Sequence, residues 1–359
     1  MDKDIYFLKK TFSLAKKGLG FVSPNPLVGA VIVKNNRIIG EGYHKKSGFP
    51  HAEIEAIKRT KESLKGATLY INLEPCCHFG KTPPCVDKII ESKIKRVVIS
   101  NIDPNPKVKG KSILKLKKSK IEVKVGLCKK EGERLNEVFF KNMRFNMPFV
   151  ALKVAQSLDG KIRDNNRVSK WITDKPARTF SKKLRDIYDA VLVGINTVIE
   201  DNPKLNGFKK IPFKIVLDRN LRIPLNCNLL SKNREKVIIV TSFKNKDNLD
   251  KIPKETKVLL AEEKDKKFNL KEILKSLYSM GINSILIEGG SKTSGNFFDE
   301  RLIDKVYIFI APKIIAGSNS LSSIEGSGFS LKKCPKIKDI SIEYIGDDIL
   351  ISGYPDYGK

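Results

Sequence analysis

The residues best suited to chemistry lie in the first quarter of the 359-residue chain. His51-Ala52-Glu53 stands at the start of a predicted helix, and Pro75-Cys76 and Pro84-Cys85 come after a predicted strand. One imidazole and two thiolates are three zinc ligands, which leaves the fourth tetrahedral position open for water, as in a catalytic site. Zinc lowers the pKa of its bound water from 15.7 to roughly 7, and Glu53 is near enough to His51 to carry a proton. The pattern predicts zinc-dependent hydrolysis, with Glu53 as the catalytic residue and His51, Cys76 and Cys85 as the metal ligands.

Zinc-dependent deaminases of nucleobases share this combination of a ligand His, a Glu that is not a ligand and two cysteines. This chain departs from their short cysteine spacing, because eight residues separate Cys76 from Cys85. The loop that begins at Cys77 is therefore expected to bulge beside the metal and contact substrate. A fourth ligand from Cys77 or His78 would instead close the site and make it structural, but a structural site has no need of Glu53.

The elements that position these residues alternate between strands and helices, which predicts a layered α/β domain. In the first half, strands are predicted at 28–33, 37–42, 67–73, 96–100 and 121–125. Helices are predicted at 3–18, 52–65, 85–92, 111–118 and 130–142. Asn146-Met147-Pro148 interrupts the pattern, so we expect one domain over 1–146 and a second over 147–359.

The second half repeats the alternation without a strict G-x-G-x-x-G segment. Strands are predicted at 149–155, 190–193, 213–217, 236–241, 284–287 and 306–310. Helices are predicted at 176–185, 270–280 and 293–300. Glu288-Gly289-Gly290-Ser291 joins a strand to a helix, where backbone amides could cradle a phosphate. The charged stretch 244–267 is expected to be a solvated surface excursion.

Composition narrows the setting of the protein. Lys plus Arg number 69 against 40 Asp plus Glu, a net charge of +29, yet the lysines are spread along the whole chain. We therefore do not expect a nucleic-acid partner, although a phosphorylated small substrate would benefit from this charge. No membrane span is expected, and the amino terminus shows an amphipathic segment in place of an apolar signal core, so the cytoplasm is the expected location. We also expect a homo-oligomer.

Several segments resemble the bifunctional deaminase-reductase family of riboflavin biosynthesis. In the first half they are Ser23 to Gly29, Gly42-Tyr43-His44, His51-Ala52-Glu53 and the long loop from Glu74 to Cys85. In the second half they are Lys153 to Lys161, Ser169 to Thr173, Gly194 to Val198, Asp201-Asn202-Pro203 and Glu288-Gly289-Gly290.

The resemblance implies a cytidine-deaminase-like three-layer domain followed by a dihydrofolate-reductase-like domain. It implies Zn²⁺ and NADPH as cofactors, and a phosphorylated diaminopyrimidine as substrate, first deaminated and then reduced at its ribosyl group. The implied NADPH contacts are Ala155, Trp171, Thr197, Asp201, Gly290, Ser291, Lys292, Thr293, Ser294, Gly295 and Asn296. The implied substrate contacts are Asn25, His44, His78, Lys153, Ser169, Arg185, Leu205 and Glu288.

The chain departs from the family at a few positions. Cys77 and Lys81 stand where the family commonly has Ser and Arg, and Arg219 stands where it has Ser. After Pro203 the family usually shows Leu-Thr-Val-Arg, whereas this chain has Leu205-Asn206-Gly207-Phe208. We hypothesise that Lys209 or Lys210 replaces the missing Arg at a substrate phosphate.

Two other functions are alternatives to a bifunctional deaminase-reductase. A nucleic-acid base deaminase would use the same zinc chemistry and the positive charge, but it would have no use for the second domain. A basic RNA-binding protein with structural zinc would bind RNA in a salt-dependent way and release no amine. Glu53 argues against the latter.

Overall fold

The computed structural model describes residues 2–79, 83–166 and 168–358. The chain divides into two compact units, Met1–Asn146 and Met147–Lys359. None of the described helices combines the length and the apolar character that crossing a membrane requires.

The first unit is built on a five-stranded sheet in the order β2-β1-β3-β4-β5. Its strands are β1 (Gly29–Lys34), β2 (Arg37–Tyr43), β3 (Thr68–Leu73), β4 (Arg96–Asn101) and β5 (Glu122–Val125). Its helices are α1 (Lys3–Ala15), α2 (Ala52–Arg59), α3 (Cys85–Glu91), α4 (Lys111–Lys118), α5 (Lys129–Leu135) and α6 (Glu137–Phe145). β1 is antiparallel to both of its neighbours, and β3, β4 and β5 run parallel.

Alternating side chains bury both faces of this sheet. Ile32, Leu69 and Ile71 pack in one core cluster with residues of α2, α3 and α4. Val31 and Val98 pack on the other face against Phe7 and Leu8 of α1. The predicted arrangement of three α/β layers is confirmed.

The second unit contains a nine-stranded sheet in the order β11-β10-β9-β8-β14-β6-β15-β18-β17. All neighbouring strands are parallel from β11 to β15, and β18 and β17 close the sheet in antiparallel pairs. The strands of this unit are β6 (Phe149–Ser157), β7 (Lys161–Arg163), β8 (Ala190–Gly194), β9 (Phe213–Leu217), β10 (Val237–Ser242), β11 (Lys257–Ala261), β12 (Glu263–Lys264), β13 (Lys267–Phe268), β14 (Ser284–Glu288), β15 (Lys305–Ala311), β16 (Leu321–Ser322), β17 (Lys336–Ile345) and β18 (Asp348–Asp356). The helices are α7 (Lys175–Ile187), α8 (Ile195–Asp201), α9 (Asn228–Ser231), α10 (Leu270–Ser279) and α11 (Ser291–Asp299).

The structure corrects three of the predicted elements. The helix predicted at 52–65 ends at Arg59, because Thr60 adopts extended backbone angles. The helix predicted at 130–142 is two helices that break at Asn136, whose side chain bonds the backbone of Leu27 at 2.7 and 2.9 Å. The stretch 244–267 is not only a surface excursion, since it supplies edge strand β11 and half of the β12–β13 hairpin.

Candidate active sites

The three predicted zinc ligands come together in the first unit. His51 precedes α2, Cys76 lies in the loop after β3, and Cys85 is the first residue of α3. Their ligand atoms all lie within 4.8 Å of one another, with His51 Nδ1 at 3.5 Å from Cys76 Sγ and 3.2 Å from Cys85 Sγ. No other His, Cys, Asp or Glu of residues 2–79, 83–166 and 168–358 joins this group.

The geometry and the protonation of this group fit zinc. Bonds of about 2.0 Å to nitrogen and 2.3 Å to sulfur place tetrahedral ligands roughly 3.5 Å apart, close to the observed separations. The Cys85 thiol hydrogen-bonds the Cys76 sulfur, which lowers the pKa of Cys76 to about 4, and the same shared proton raises the pKa of Cys85. A divalent cation would displace that one proton and take both sulfurs as thiolates.

Glu53 lies in the first turn of α2 and is buried. Burial raises its pKa to about 7, because a low-dielectric surrounding disfavours the carboxylate. It lines a pocket of about 270 Å³ that it shares with His51 and Cys76. A buried carboxyl group that exchanges its proton near neutral pH, next to three metal ligands, is suited to general acid–base work.

The pocket also contains the predicted substrate residues Asn25, His44 and His78. His44 Nδ1 donates to the carbonyl oxygen of Pro50 at 3.1 Å, so its Nε2 accepts from the Asn25 amide at 3.1 Å. Burial lowers the pKa of His44, which favours this neutral ring. His78 Nδ1 is buried without a hydrogen-bond partner among the described residues.

The other residues of the loop between Cys76 and Cys85 bear on whether a fourth protein ligand closes the metal site. Cys77 Sγ contacts the Lys107 carbonyl oxygen at 3.6 Å and lies outside the ligand group. Gly80, Lys81 and Thr82, which belong to the motif ending in Cys85, lie outside the described residues. The described residues therefore favour the open, catalytic form of the site.

Sequence reasoning missed several residues that line this pocket, including Asp103, Asn105 and Glu74. Burial raises the pKa of Asp103 to about 7. The Glu74 carboxylate accepts from Gly110 N at 2.9 Å and Ser112 Oγ at 2.6 Å, which ties the end of β3 to the start of α4. The available signal was position, because carboxyl ends of neighbouring parallel strands meet at one edge of a sheet.

The second unit contains a larger cleft of about 1530 Å³. It brings together the predicted substrate contacts Lys153, Ser169, Arg185, Leu205 and Glu288. It also brings together the predicted cofactor contacts Ala155, Trp171, Thr197, Asp201, Gly290, Ser291, Lys292, Thr293, Ser294 and Asn296. Gly295 differs, because it packs beneath a neighbouring loop, where a β-carbon would lie 1.7 Å from the Glu325 carbonyl oxygen.

Three charged side chains are buried together in this cleft. Arg185 binds Glu288 through two hydrogen bonds of 2.6 and 2.9 Å, and Lys153 Nζ lies 3.9 Å from Glu288 Oε2. Burial lowers the pKa of Lys153, which Glu288 partly offsets. Burial alone would raise the pKa of Glu288, but the Arg185 guanidinium outweighs it and holds that pKa below its ordinary value. Glu288 is therefore held as a carboxylate, and the lowered pKa of Lys153 makes its ammonium a better proton donor than that of an exposed lysine.

Two further features of the cleft suit a nucleotide ligand. Gly289 and Gly290 have φ of 90° and 83° and lead into α11, whose first-turn amides line the cleft. Such a helix start binds phosphate. Trp171, whose exposed fraction is 66%, stacks on the Arg178 guanidinium at 4.6 Å and is not a core residue.

Comparison with known proteins agrees with both sites. Residues 148–351 match the family model of the RibD C-terminal domain, and residues 1–101 match the cytidine and deoxycytidylate deaminase zinc-binding region. The chain is 43% identical to the riboflavin biosynthesis protein RibD of Aquifex aeolicus over 97% of each chain. It is 35% identical to RibD of Escherichia coli over 97% of this chain and 98% of that protein.

This chain belongs to the RibD family. A solved structure from Thermotoga maritima, described as a diaminohydroxyphosphoribosylaminopyrimidine deaminase/5-amino-6-(5-phosphoribosylamino)uracil reductase, is 40% identical, with a TM-score of 0.87 over 99% of each chain. Like other RibD proteins, the chain is a bifunctional enzyme of riboflavin biosynthesis, with a zinc-binding deaminase domain and an NADPH-dependent reductase domain. The predicted cytidine-deaminase-like and dihydrofolate-reductase-like folds are confirmed.

The structure also locates the lysines that were expected to replace an Arg of other RibD proteins. The amides of Lys209 and Lys210 donate to the Asp186 carboxylate, and Lys210 Nζ donates to the Asp186 carbonyl oxygen at 3.0 Å. Neither lysine is among the residues that line the cleft, whereas Lys182 and Lys204 are. The hypothesis that Lys209 or Lys210 holds a substrate phosphate stays a prediction; in the structure both backbone amides and the Lys210 ammonium are engaged by Asp186.

Proposed function

We propose that residues 1–146 deaminate 2,5-diamino-6-ribosylamino-4(3H)-pyrimidinone 5′-phosphate, and that residues 147–359 reduce the ribosyl group of the product with NADPH. The observation that carries the first step is the group of His51, Cys76 and Cys85 with buried Glu53 in the same pocket. The observation that supports the second step is the cleft with its buried Lys153, Arg185 and Glu288. The Thermotoga maritima protein carries both activities in its name.

In the deaminase pocket, His51, Cys76 and Cys85 would hold the metal, which when bound makes water acidic enough to attack at neutral pH. Glu53 takes a proton from the attacking water and returns it to the departing amine, so that ammonia leaves and oxygen remains on the ring. Asn25 and His44 are fixed to each other and orient the substrate through their remaining polar atoms. His78 offers its unpartnered Nδ1 to the same substrate.

In the reductase cleft, NADPH when bound supplies a hydride for C1′ of the ribosyl group. Before that transfer the ribosyl ring opens: the C1′–O4′ bond breaks, O4′ takes the proton of the ring-linked nitrogen, and a C1′=N double bond remains. As the hydride adds to C1′, Lys153 gives the accompanying proton to this nitrogen, because Glu288 is already ionised and paired with Arg185. Ser169, Arg185 and Leu205 contact the substrate beside this group. The first turn of α11, from Ser291 to Ser294, holds the cofactor pyrophosphate, while Ala155, Trp171, Thr197, Asp201 and Asn296 hold the rest of the cofactor.

We also propose that the protein forms a homo-oligomer and is located in the cytoplasm. A homo-oligomer is supported by edge strand β17, which exposes Ile340, Ile342 and Tyr344 on one face. A cytoplasmic location is supported by six free thiols, which persist in a reducing compartment. Light scattering after size-exclusion chromatography tests the first, and a single monomeric peak at micromolar concentration would reject it.

The test of the two steps is a coupled assay of the zinc-loaded protein with the diaminopyrimidine phosphate. Wild type is expected to release ammonia and then oxidise NADPH. Glu53→Gln is expected to do neither, but to oxidise NADPH when deaminated intermediate is supplied. The matched control is Glu55→Gln on the same helix, whose carboxylate pairs with Lys45 and Arg59 outside the pocket, and which should retain both steps.

Either failure has a distinct meaning. If Glu53→Gln still releases ammonia at the wild-type rate, Glu53 does not carry the proton. If wild type releases ammonia but never oxidises NADPH, the function of the second unit is not the proposed one. Amine release from nucleic-acid bases in place of the free pyrimidine would favour the base deaminase, for which the net charge of +29 is the main observation.

A further inference from the structure

One face of α7 presents three cations to the reductase cleft. Arg178, Lys182 and Arg185 are spaced four and three residues apart, so they lie along one side of the helix, and all three line the cleft. Cations concentrated on one wall attract an anionic group of a ligand. Which of the three cations can bind such a group depends on the contacts that each already makes within the protein.

Two of the three cations are already engaged within the protein. Arg185 is paired with Glu288 and also donates to the Asn206 carbonyl oxygen at 2.9 Å. Arg178 donates to the Thr173 carbonyl oxygen at 2.6 Å and stacks on Trp171. Lys182 is exposed and has no acidic partner among the described residues. Its ammonium is the cation of this face that remains free for a ligand.

The loop beside α7 adds to this positive wall. The amide of Phe208 donates to the Lys182 carbonyl oxygen at 3.2 Å, which fixes residues 204–208 against the helix. Lys204 and Asn206 line the same part of the cleft, and Asn206 Oδ1 is buried without a described partner. The neighbourhood therefore offers two ammonium groups without a described acidic partner and a side-chain amide, while the Asp186 carboxylate beside Gly207 already accepts from the amides of Lys209 and Lys210.

We propose that Lys182 binds the 5′-phosphate of the substrate in the reductase cleft. The proposal rests on the proposed function, because it assumes a phosphorylated ribosyl substrate. Lys182 stands one helical turn, ~5 Å along the axis, from Arg185 and its partner Glu288. That spacing suits a substrate whose reacting carbon meets Lys153 and Glu288 while its phosphate, a few bonds away, meets Lys182. The cofactor pyrophosphate is assigned to a separate binding site at the start of α11.

Kinetics with paired substrates test the assignment. KM is measured for the deaminated intermediate with and without its phosphate, at saturating NADPH. Lys182→Ala is expected to raise KM for the phosphorylated substrate about tenfold, or ~1.4 kcal/mol, and to leave KM for the dephosphorylated one unchanged. Lys182→Arg should keep most of the wild-type KM. Lys183→Ala is the matched control, since Lys183 is exposed on the same turn but is not among the cleft-lining residues.

Binding without turnover gives a second readout. Trp171 is the only tryptophan of the chain and stacks on Arg178. Arg178 in turn lies one turn of α7 from Lys182. Ribose 5-phosphate, titrated without NADPH, should change its fluorescence with a Kd about tenfold weaker in Lys182→Ala. Lys182→Arg should keep a Kd close to that of wild type, because it returns a cation to the same position.

The results of these experiments distinguish a failure of the phosphate assignment from a failure of the proposed reductase function. Equal loss of affinity for phosphorylated and dephosphorylated substrates in Lys182→Ala would overturn the phosphate assignment while the reductase function stands. An unchanged KM and Kd in that variant would overturn it as well. A wild-type protein that reduces neither substrate would overturn the proposed function and this assignment together.

Discussion

At the scale of single residues, the buried Asp4 carboxylate of the first unit pairs with two cations and a hydroxyl group. Arg96 donates two hydrogen bonds to it, each of 2.8 Å, and Lys124 Nζ and the Tyr70 hydroxyl donate at 2.8 and 2.9 Å. The hydrogen bond from Arg96 is the main reason why the pKa of Asp4 lies well below its usual range. Asp4 thus joins α1 to β3, β4 and β5 on the face opposite the zinc ligands.

Removal of this charge should destabilise the first unit in a pH-dependent way. Because its pKa is lower in the folded state, Asp4 stabilises the fold fully above its unfolded pKa of ~3.9 and loses this contribution as the pH falls through the folded pKa. We expect Asp4→Asn to lower the free energy of unfolding by about 2 kcal/mol at pH 7, and by clearly less at about pH 2, between the unfolded and the folded pKa. Urea unfolding followed by circular dichroism measures both.

The control is Glu122→Gln, which removes an exposed partner of the same Arg96. An exposed ion pair contributes little, so a loss of ~0.5 kcal/mol or less is expected there. An Asp4→Asn loss that is the same at pH 7 and at about pH 2 would contradict the electrostatic origin and point to packing instead.

Residue types and spacing were sufficient to find the chemistry of the first site. His51, Cys76 and Cys85 are a ligand set whose meaning does not depend on the rest of the chain. Asp103 and Glu74 are ordinary acids in sequence, and they matter only because β3 and β4 are parallel neighbours. A single sequence does not contain that pairing, so these pocket residues were missed.

At the scale of elements, two glycines of β2 set the position of α2, which carries Glu53. Gly40 and Gly42 share one face of β2 and lie directly beneath the helix backbone. A β-carbon at Gly42 would lie 2.4 Å from the Ala52 carbonyl oxygen and 2.5 Å from the Ala56 nitrogen. Real contacts are not this short, so a side chain here would push α2 away from the sheet.

Gly42→Ala should therefore damage the deaminase without touching its substrate. Overpacking of this kind costs about 1–3 kcal/mol, and the shifted helix moves Glu53 and His51 relative to the two cysteines. We expect weaker zinc binding and at least a tenfold loss of ammonia release, with reduction of supplied intermediate preserved. Glu41→Ala, exposed on the opposite face of β2, is the control, and equal activity of the two variants would show that the helix tolerates the shift.

Two of the strands that sequence reasoning missed, β11 and β17, lie at the two edges of the nine-stranded sheet. Most side chains of β11 and β17 are exposed or half-buried, so their sequences contain no strong apolar pattern that would predict a strand. The buried strands β1, β3, β8 and β14 were predicted to within two residues, because continuous apolar runs mark them. The break at Asn136 depends on a distant partner, Leu27, and propensity does not reveal it.

At the scale of the whole molecule, each unit supplies its own chemistry. The lining of the deaminase pocket runs from Pro24 to Phe139, and that of the cleft runs from Lys153 to Ser327. Among the residues that the structure describes, neither lining includes one from the other unit. Loss of one activity by mutation should therefore leave the other intact, as the Glu53→Gln assay requires.

The net charge of +29 is the remaining whole-molecule property, and it predicts how the reductase responds to salt. The cleft wall formed by Arg178, Lys182 and Lys204 sits within this positive field. Because salt shortens the Debye length from about 14 Å at 0.05 M to ~6 Å at 0.3 M, attraction of a phosphorylated substrate should weaken. We expect KM for the phosphorylated intermediate to rise several-fold over that range with little change in kcat.

The dephosphorylated substrate provides the internal control for this prediction, since it carries no phosphate for the field to attract. Its KM should stay nearly constant from 0.05 to 0.3 M NaCl, measured by NADPH oxidation at fixed pH and saturating cofactor. An equal rise for both substrates would mean that salt acts on the fold or on NADPH binding. A flat response for both would mean that the lysines spread along the chain do not act on the substrate, and that the charge is a feature of composition alone.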